Sequence, residues 1–133
     1  MMGTFEDYKK TMVAPVTLWS AAKENDVALL ERLCAEPGVN LDAQDPRGYS
    51  PLMLAAYSGC AEAVALLLKK GANPNSVDNA GNSVLMGATF KDDEAIVRQL
   101  IAAGADVKAK NHAGLDARGF AQLFGRTALL TLV

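Results

Sequence analysis

One interval recurs along this chain and constrains its fold more than any other feature. Gly48, Gly81 and Gly114 follow one another at 33 residues, and Gly71 and Gly104 keep the same spacing. A fixed period of about 20 to 50 residues marks a chain built from one repeated unit, which buries its apolar face mainly against its neighbours. The spacing therefore predicts an elongated repeat protein.

Two segments aligned on those glycines show how each unit begins. Residues 45–56 lie over residues 78–89, and both contain an Asp, a Gly and a Ser at matching positions. Ser50 suits a helix N-cap because its hydroxyl can accept a hydrogen bond from a free amide, and Pro51 needs no N–H at the first helical position. The sequence predicts a short first helix that begins near Pro51 and ends before Gly59.

A second helix is predicted from Ala61 to about Lys69, because apolar residues recur there at intervals of three and four. This stripe and its copy one period later are formed by Val64, Leu67, Leu68, Val97, Leu100 and Ile101. Gly71 and Gly104 can take the left-handed conformation that ends such a helix. The segments that follow are rich in Asn, Asp and Gly, which is typical of turns. Each unit is therefore a hairpin, a helix, a loop and a helix.

This unit resembles the ankyrin repeat, whose pattern joins Asp-x-x-Gly-x-Thr-Pro-Leu-His-x-Ala-Ala to an apolar helix ending in Leu-Leu and then to Gly-Ala-Asp. The resemblance covers nearly the whole chain and implies an all-α, single-domain solenoid over residues 1–133. Helix-turn-helix units would be joined by β-hairpin-like loops with little regular sheet. We expect a short helix at 4–10 and repeats at about 12–44, 45–77, 78–110 and 111–133, of which the first and last are caps.

The chain departs from the family pattern where that pattern has His. These positions hold Trp19, Met53, Met86 and Gly119. Methionine fills the space, but we expect it not to replace the hydrogen bond of the histidine to the hairpin backbone. Rigidity between repeats is therefore expected to be somewhat lower than in an idealised ankyrin stack.

Composition narrows the class of partner. The net charge of −2 shows no basic footprint, so we expect no binding to nucleic acid. The apolar run 12–19 is not interpreted as a signal peptide, because acidic residues precede it, Pro15 interrupts it, and residues 18–22 are needed as a repeat helix. No apolar run reaches membrane-spanning length. Cys34 and Cys60 are not placed to form a disulfide. We expect Cys34 to fill the core and Cys60 to be unreactive. Reduced thiols are typical of a cytoplasmic protein, and we expect that localisation.

Catalytic chemistry has little support in the sequence. The single histidine, His112, has no second His or Cys at metal-ligand spacing, and the glycines match no phosphate-binding loop. Acidic residues 92–94 begin a second helix, where carboxylates complement the helix dipole, and Asp45 and Asp78 match the structural hairpin Asp of the family. We therefore expect no catalytic residue, no metal and no cofactor. The opposing hypothesis is an enzyme or ligand-binding protein that uses His112 with Lys110 or Asp78.

The resemblance implies a concave binding surface made of hairpin tips and first helices. Its candidate partner-binding residues are Arg47, Tyr49, Tyr57, Asn79, Asn82, Phe90, Lys91, Lys110, His112, Leu123 and Phe124. Aromatic side chains flanked by Arg and Lys have the composition of a binding hot spot. We therefore predict a non-catalytic adaptor or modulator that binds a partner protein. The structural alternative for Phe90 is that its ring fills the gap beside Gly87.

The C-terminal segment allows a second hypothesis. Residues 128–133 are mostly apolar and lack a polar outer cap, so they could pack on residues 1–12 or on another copy of the chain. The expected state is a monomer, and the alternative is a homo-oligomeric structural protein, such as a homodimer, that associates through its last repeat.

Overall fold

The computed structural model describes residues 18–133. Over these residues the chain forms seven α-helices and one short 3₁₀ helix. The α-helices are α1 (residues 18–23), α2 (Val27–Cys34), α3 (Pro51–Tyr57), α4 (Ala61–Lys69), α5 (Val84–Phe90), α6 (Glu94–Ala102) and α7 (Ala117–Leu123), and the 3₁₀ helix is Thr127–Leu129. The helix expected at residues 4–10 lies outside the described residues.

The helices form two layers. Helices α3, α5 and α7 contact one another in one row, while α2, α4 and α6 form a second row. Within a repeat the two rows meet, since α3 packs against α4 and α5 against α6. The all-α repeat solenoid that the resemblance implied is therefore confirmed.

Side-chain caps fix where the helices start. The Ser50 and Ser83 hydroxyls accept the amides of Met53 and Met86, at 3.3 and 3.1 Å. Asp93 caps α6 by accepting the Ile96 amide at 3.1 Å, so the acidic segment is a helix start, as predicted. The Met86 sulfur also accepts the Ser83 amide at 3.4 Å. Met86 therefore makes one weak polar contact of its own, with the backbone at the start of its helix.

The core lies between the two layers, and the predicted stripe needs one correction. Val64, Leu67, Val97 and Leu100 are fully buried, but Leu68 and its counterpart Ile101 are only half-buried. Helix α4 is packed by α2, α3 and α6, so its buried arc is wider than one stripe and includes Ala63 and Leu66. The predicted apolar stripe was therefore too narrow, and the third residue of the stripe lies at the edge of the buried arc.

The hairpins are held by one polar side chain each. Asp45 Oδ1 accepts the amides of Arg47 and Tyr49 at 2.9 and 3.0 Å, and Asp78 Oδ1 accepts the equivalent pair at 2.9 Å. Asn111 does the same in the third hairpin, at 3.0 Å for both amides. Gly48, at φ +84°, lies so close to the next hairpin that an added Cβ would clash with it. Within residues 18–133 the one β-type pairing is the bridge between residues 77 and 83.

The two cysteines are free. Cys34, expected to fill the core, is instead half-buried at its edge, because it occupies the last turn of α2. Cys60 is the buried one, and its thiol donates to the Lys23 carbonyl at 3.3 Å. Burial, with the nearby Glu62 carboxylate, raises the pKa of the Cys60 thiol, which favours the unreactive protonated form.

After α6 the chain contains less helix than the helix pairs before it. Helix α7 is followed by the 3₁₀ helix Thr127–Leu129, in which Leu129 is fully buried. The Arg118 guanidinium donates to the carbonyls of Leu130 and Val133, at 2.8 and 3.2 Å. The apolar C-terminal residues therefore pack against the core of their own chain, with Leu130 and Val133 half-buried.

Candidate binding face

A cleft of about 230 Å³ opens where α3, α5 and α7 meet the hairpins. Its walls combine aromatic rings with two charged side chains and are formed by Tyr49, Tyr57, Asp78, Asn82, Gly87, Phe90, Lys91 and Phe120. Pockets for drug-sized ligands measure about 300 to 1,000 Å³. The cleft is therefore large enough for one side chain of a partner.

Two tyrosines form one wall of the cleft. The rings of Tyr49 and Tyr57 meet edge to face, with centroids 5.6 Å apart and planes at 84°. The Arg47 guanidinium stacks on the Tyr49 ring at 4.4 Å and pairs with Asp45 Oδ2 at 2.8 Å. Burial alone would raise the pKa of the Asp45 carboxyl, but hydrogen bonds from the Tyr49 amide and from Arg47 outweigh burial and lower it. Arg47 therefore braces the tyrosine wall.

Tyr57, and not Phe90, fills the space beside Gly87. A Cβ added to Gly87 would lie 1.7 Å from Cε1 of Tyr57, so the ring occupies the volume that any larger residue would need. This overturns the structural alternative for Phe90. Burial of the hydroxyl raises the pKa of Tyr57 far above its usual value, and the charges of Asp78 and Tyr49 raise it further. Tyr57 is therefore a neutral, fixed wall of the cleft.

A second aromatic group is exposed beside the cleft. The rings of Phe90 and Phe124 meet edge to face, with centroids 4.8 Å apart, and Phe120 lies 5.6 Å from Phe124. Arg126 donates from Nε to the Phe90 carbonyl at 2.9 Å and lies 5.8 Å from the ring. Phe90 and Phe124 nevertheless remain 40% and 39% exposed. We call Phe90, Phe120 and Phe124 the phenylalanine patch.

Phe120 was missed by sequence reasoning, although it lines the cleft and belongs to the patch. One period earlier its position is Gly87, and two periods earlier it is Leu54. Because the equivalent positions of the two earlier repeats hold a leucine and a glycine, nothing marked this position as part of a binding face. The signal that could have identified it is the change from glycine to an aromatic residue at the same position of the next repeat.

Several of the candidate residues make contacts between neighbouring hairpins. Asn79 donates from Nδ2 to the Pro46 carbonyl at 2.8 Å, and Asn82 Oδ1 accepts from Asn111 at the same distance. The His112 ring lies against Gly81, where an added Cβ would clash with it at 2.8 Å, and the His112 amide donates to Ala80. These three side chains therefore link neighbouring hairpins.

The remaining candidates are exposed. Lys91 lines the cleft, Lys110 lies on the third hairpin, and Leu123 is 63% exposed at the end of α7. Within residues 18–133 no group of three His, Cys, Asp or Glu side chains is arranged to hold a metal ion. No helix in this range combines the length and apolarity that crossing a membrane requires.

Comparison with known proteins gives the family. The model for ankyrin repeats, in three copies, matches residues 18–111. The chain belongs to the ankyrin repeat family. Ankyrin repeats generally mediate protein–protein interaction.

This ankyrin repeat protein is also similar to a longer relative. It is 40% identical over 63 residues to Ankyrin repeat domain-containing protein 29 of Danio rerio. The aligned segment covers 47% of this chain and 21% of the relative, so the chain spans about a fifth of that protein. The predicted fourth repeat, from residue 111, falls almost wholly beyond the family match, and the division into four repeats stays a prediction.

Proposed function

We propose that this ankyrin repeat protein is a non-catalytic adaptor or modulator that binds a partner protein through the face formed by α3, α5, α7 and the hairpins. The observation that carries this proposal is the phenylalanine patch. Soluble proteins seldom leave large aromatic side chains exposed together without a contact to make. Here Phe90 and Phe124 are each about two-fifths exposed beside a cleft.

The patch has the physical properties of a binding anchor. Aromatic residues dominate interface hot spots because they bury a large area at low conformational cost. Phe90 and Phe124 are already held against each other, and Arg126 is hydrogen-bonded to the Phe90 backbone. A partner would therefore lose little additional side-chain entropy on binding here.

The other candidate residues have two roles in this proposal. Arg47, Tyr49, Tyr57, Asn79, Asn82 and His112 shape and brace the face through contacts within the protein. Lys91, Lys110 and Leu123 are exposed around it and form a polar and apolar rim. A hydrophobic centre within such a rim is the usual anatomy of an interface. The catalytic hypothesis for His112 gains no support, because its ring packs on Gly81.

Self-association is the weaker alternative. The segment that suggested it, residues 128–133, contributes Leu129 to the core and packs Leu132 and Val133 against it. The apolar surface left for a second copy is therefore smaller than the sequence alone indicates. A monomer that binds a different protein is the state that we propose.

The test is affinity capture from cells of the source organism with the parent, Phe90→Ala and Arg98→Ala. Arg98 is exposed on α6, in the other helix layer, and pairs there only with Glu94 among the described residues. Loss of the contact with Phe124 is expected to cost Phe90→Ala about 1 kcal/mol of stability, so circular dichroism must show that it remains folded. We expect Phe90→Ala to weaken partner binding by about 2 kcal/mol or more and Arg98→Ala to leave it unchanged. Equal recovery of the same partner by all three proteins would contradict the proposal.

A further inference from the structure

Two neighbouring hairpins carry an aspartate at the equivalent position, but the two carboxylates have different partners. In the first complete hairpin Asp45 uses Oδ1 for the turn amides and Oδ2 for Arg47, whose Nη2 and Nε lie 2.8 and 3.2 Å away. The same guanidinium stacks on Tyr49 at 4.4 Å. This hairpin therefore contains a complete arginine site, made of one carboxylate and one aromatic ring, and fills it from within the chain.

The next hairpin keeps the carboxylate but has lost the cation. Asp78 holds its turn amides in the same way, yet Ala80 stands where the first hairpin has Arg47. Within residues 18–133, Oδ2 of Asp78 has one hydrogen-bond partner, Asn82 Nδ2 at 3.3 Å, and Asp78 makes no ion pair. The third hairpin carries the neutral Asn111 at this position. Among the residues that the structure describes, Asp78 is therefore the hairpin carboxylate that has no cation beside it.

Asp78 also lines the cleft, together with Tyr49, Tyr57 and Phe90. A guanidinium is attracted both to a carboxylate, through charge-assisted hydrogen bonds, and to the faces of aromatic rings. The negative charge of Asp78 is close enough to Tyr57 to raise the pKa of its hydroxyl further. The carboxylate and the rings therefore act on the same small volume.

We propose that this cleft takes an arginine side chain of the partner protein, with its guanidinium on Asp78 and its stem against Tyr57 and Phe90. This inference rests on the proposed partner-binding function and names the chemistry that the cleft recognises. The volume of about 230 Å³ suits one side chain. Arginine fits better than lysine because its planar fork can engage a carboxylate while it stacks on a ring, as Arg47 does one repeat earlier.

Lys91 is the opposing charge in the cleft. Its side chain is exposed, so water and salt screen its repulsion of a bound guanidinium. Asp78 is less exposed and is fixed by its turn hydrogen bonds, so its charge is held in place beside the rings. Solvent therefore screens the attraction to Asp78 less than it screens the repulsion from Lys91. Lys91→Gln is expected to strengthen arginine binding by about twofold.

The test uses N-acetyl-arginine N-methylamide as the probe, titrated into the isotope-labelled protein and followed by amide NMR. The lysine derivative and the neutral citrulline derivative are the matched probes. We expect saturable shifts at the amides of Asn82, Gly87 and Lys91, and roughly tenfold weaker binding of the citrulline probe, which lacks the charge. Lysine is expected to bind more weakly than arginine. Absence of saturable shifts, or equal binding of the citrulline probe, would overturn the inference.

Three variants tie the effect to the carboxylate. Asp78→Asn removes the charge but can keep the turn, because Asn111 accepts both turn amides in the next hairpin. Ala80→Arg supplies an internal guanidinium as in the first hairpin and should compete with the probe. Both are expected to weaken arginine binding by about tenfold. Asp106→Asn, at an exposed turn, removes an equal charge elsewhere and should leave binding unchanged. Undiminished binding in Asp78→Asn and Ala80→Arg would refute the proposal.

The outcomes separate this inference from the proposed function. If Phe90→Ala abolishes partner capture but the parent binds no arginine probe, the face binds a partner and the arginine assignment fails alone. If the probe binds through Asp78 but capture is indifferent to Phe90, the cleft recognises arginine and the role of the phenylalanine patch in partner binding fails.

Discussion

Gly87→Ala tests the packing that shapes the cleft. Gly87 lies in the middle of α5 with its Cα facing the Tyr57 ring. An added Cβ would lie 1.7 Å from Cε1, 2.4 Å from Cζ and 2.5 Å from Cδ1 of that ring. These atoms form one edge of a rigid ring, so the whole side chain of Tyr57 must move to admit one methyl group.

Two opposing contributions determine how much Gly87→Ala changes the free energy of unfolding. Replacing a mid-helix glycine by alanine stabilises a helix by about 1 kcal/mol. Forcing extra volume into a packed site costs about 1 to 3 kcal/mol, which here includes the lost edge-to-face contact of Tyr57 with Tyr49. The clash is severe, so the second contribution exceeds the first. We expect Gly87→Ala to lower the free energy of unfolding by about 1 kcal/mol.

Urea unfolding followed by circular dichroism measures this change, and two further variants sharpen it. In a Tyr57→Ala background the clash is gone, so Gly87→Ala should instead stabilise by about 1 kcal/mol. Gly119→Ala on α7 is the matched control, because its Cβ would come nearest to the movable end of Leu115, at 3.1 Å, and would lie in ordinary contact with Asp116 Oδ1, at 3.4 Å. It should be neutral or stabilising. A Gly87→Ala protein as stable as the parent, with no change of sign in the Tyr57→Ala background, would refute the reasoning.

Three other substitutions probe the caps, the last repeat and the hairpin charge. Asp93→Ala removes the N-cap of α6 and should cost about 1 kcal/mol in urea unfolding; a neutral result would mean that the cap is not needed. Leu129→Ala empties a fully buried site and should cost about 2 to 5 kcal/mol, while light scattering of the parent is expected to show a monomer; a dimer would revive self-association. The pKa of Asp45 is lowered in the folded state, so its stabilising effect is present above the unfolded pKa of about 3.9 and is lost as the pH falls through the lower folded value. Asp45→Asn should therefore lose less thermal stability than the parent between about pH 5 and about pH 3, and identical losses would contradict this.

Local chemistry in the sequence predicted most helix boundaries. Ser50 with Pro51 marked the start of α3, and Gly71, at φ +98°, ends the second helix of its repeat as predicted. Such signals act within a few residues, so they can be interpreted without knowing the packing. The same holds for the hairpin carboxylates, which bind amides two and four residues ahead.

Contacts between repeats were harder to predict from the sequence. The sequence placed Tyr57, Phe90 and Phe124 on one face, but it did not show that Tyr57 fills the space beside Gly87 or that Phe120 completes the patch. The Tyr57–Gly87 and Phe90–Phe124 contacts join residues in different repeats, and the 33-residue period does not show how one repeat packs on the next. Phe120 contacts Phe124 four residues along the chain, so its place in the patch depends on the Phe90–Phe124 contact. The 3₁₀ ending depends in a similar way on Arg118, whose guanidinium reaches carbonyls 12 and 15 residues further along.

The central claim is that the phenylalanine patch contacts a partner protein in the cell. Replacing Phe90 by the photoreactive p-benzoylphenylalanine and irradiating intact cells tests it directly, with the same replacement of Arg98 on α6 as the control. We expect a cross-linked species of higher mass from position 90 and none from position 98. Cross-linking from position 98 with none from position 90 would contradict it.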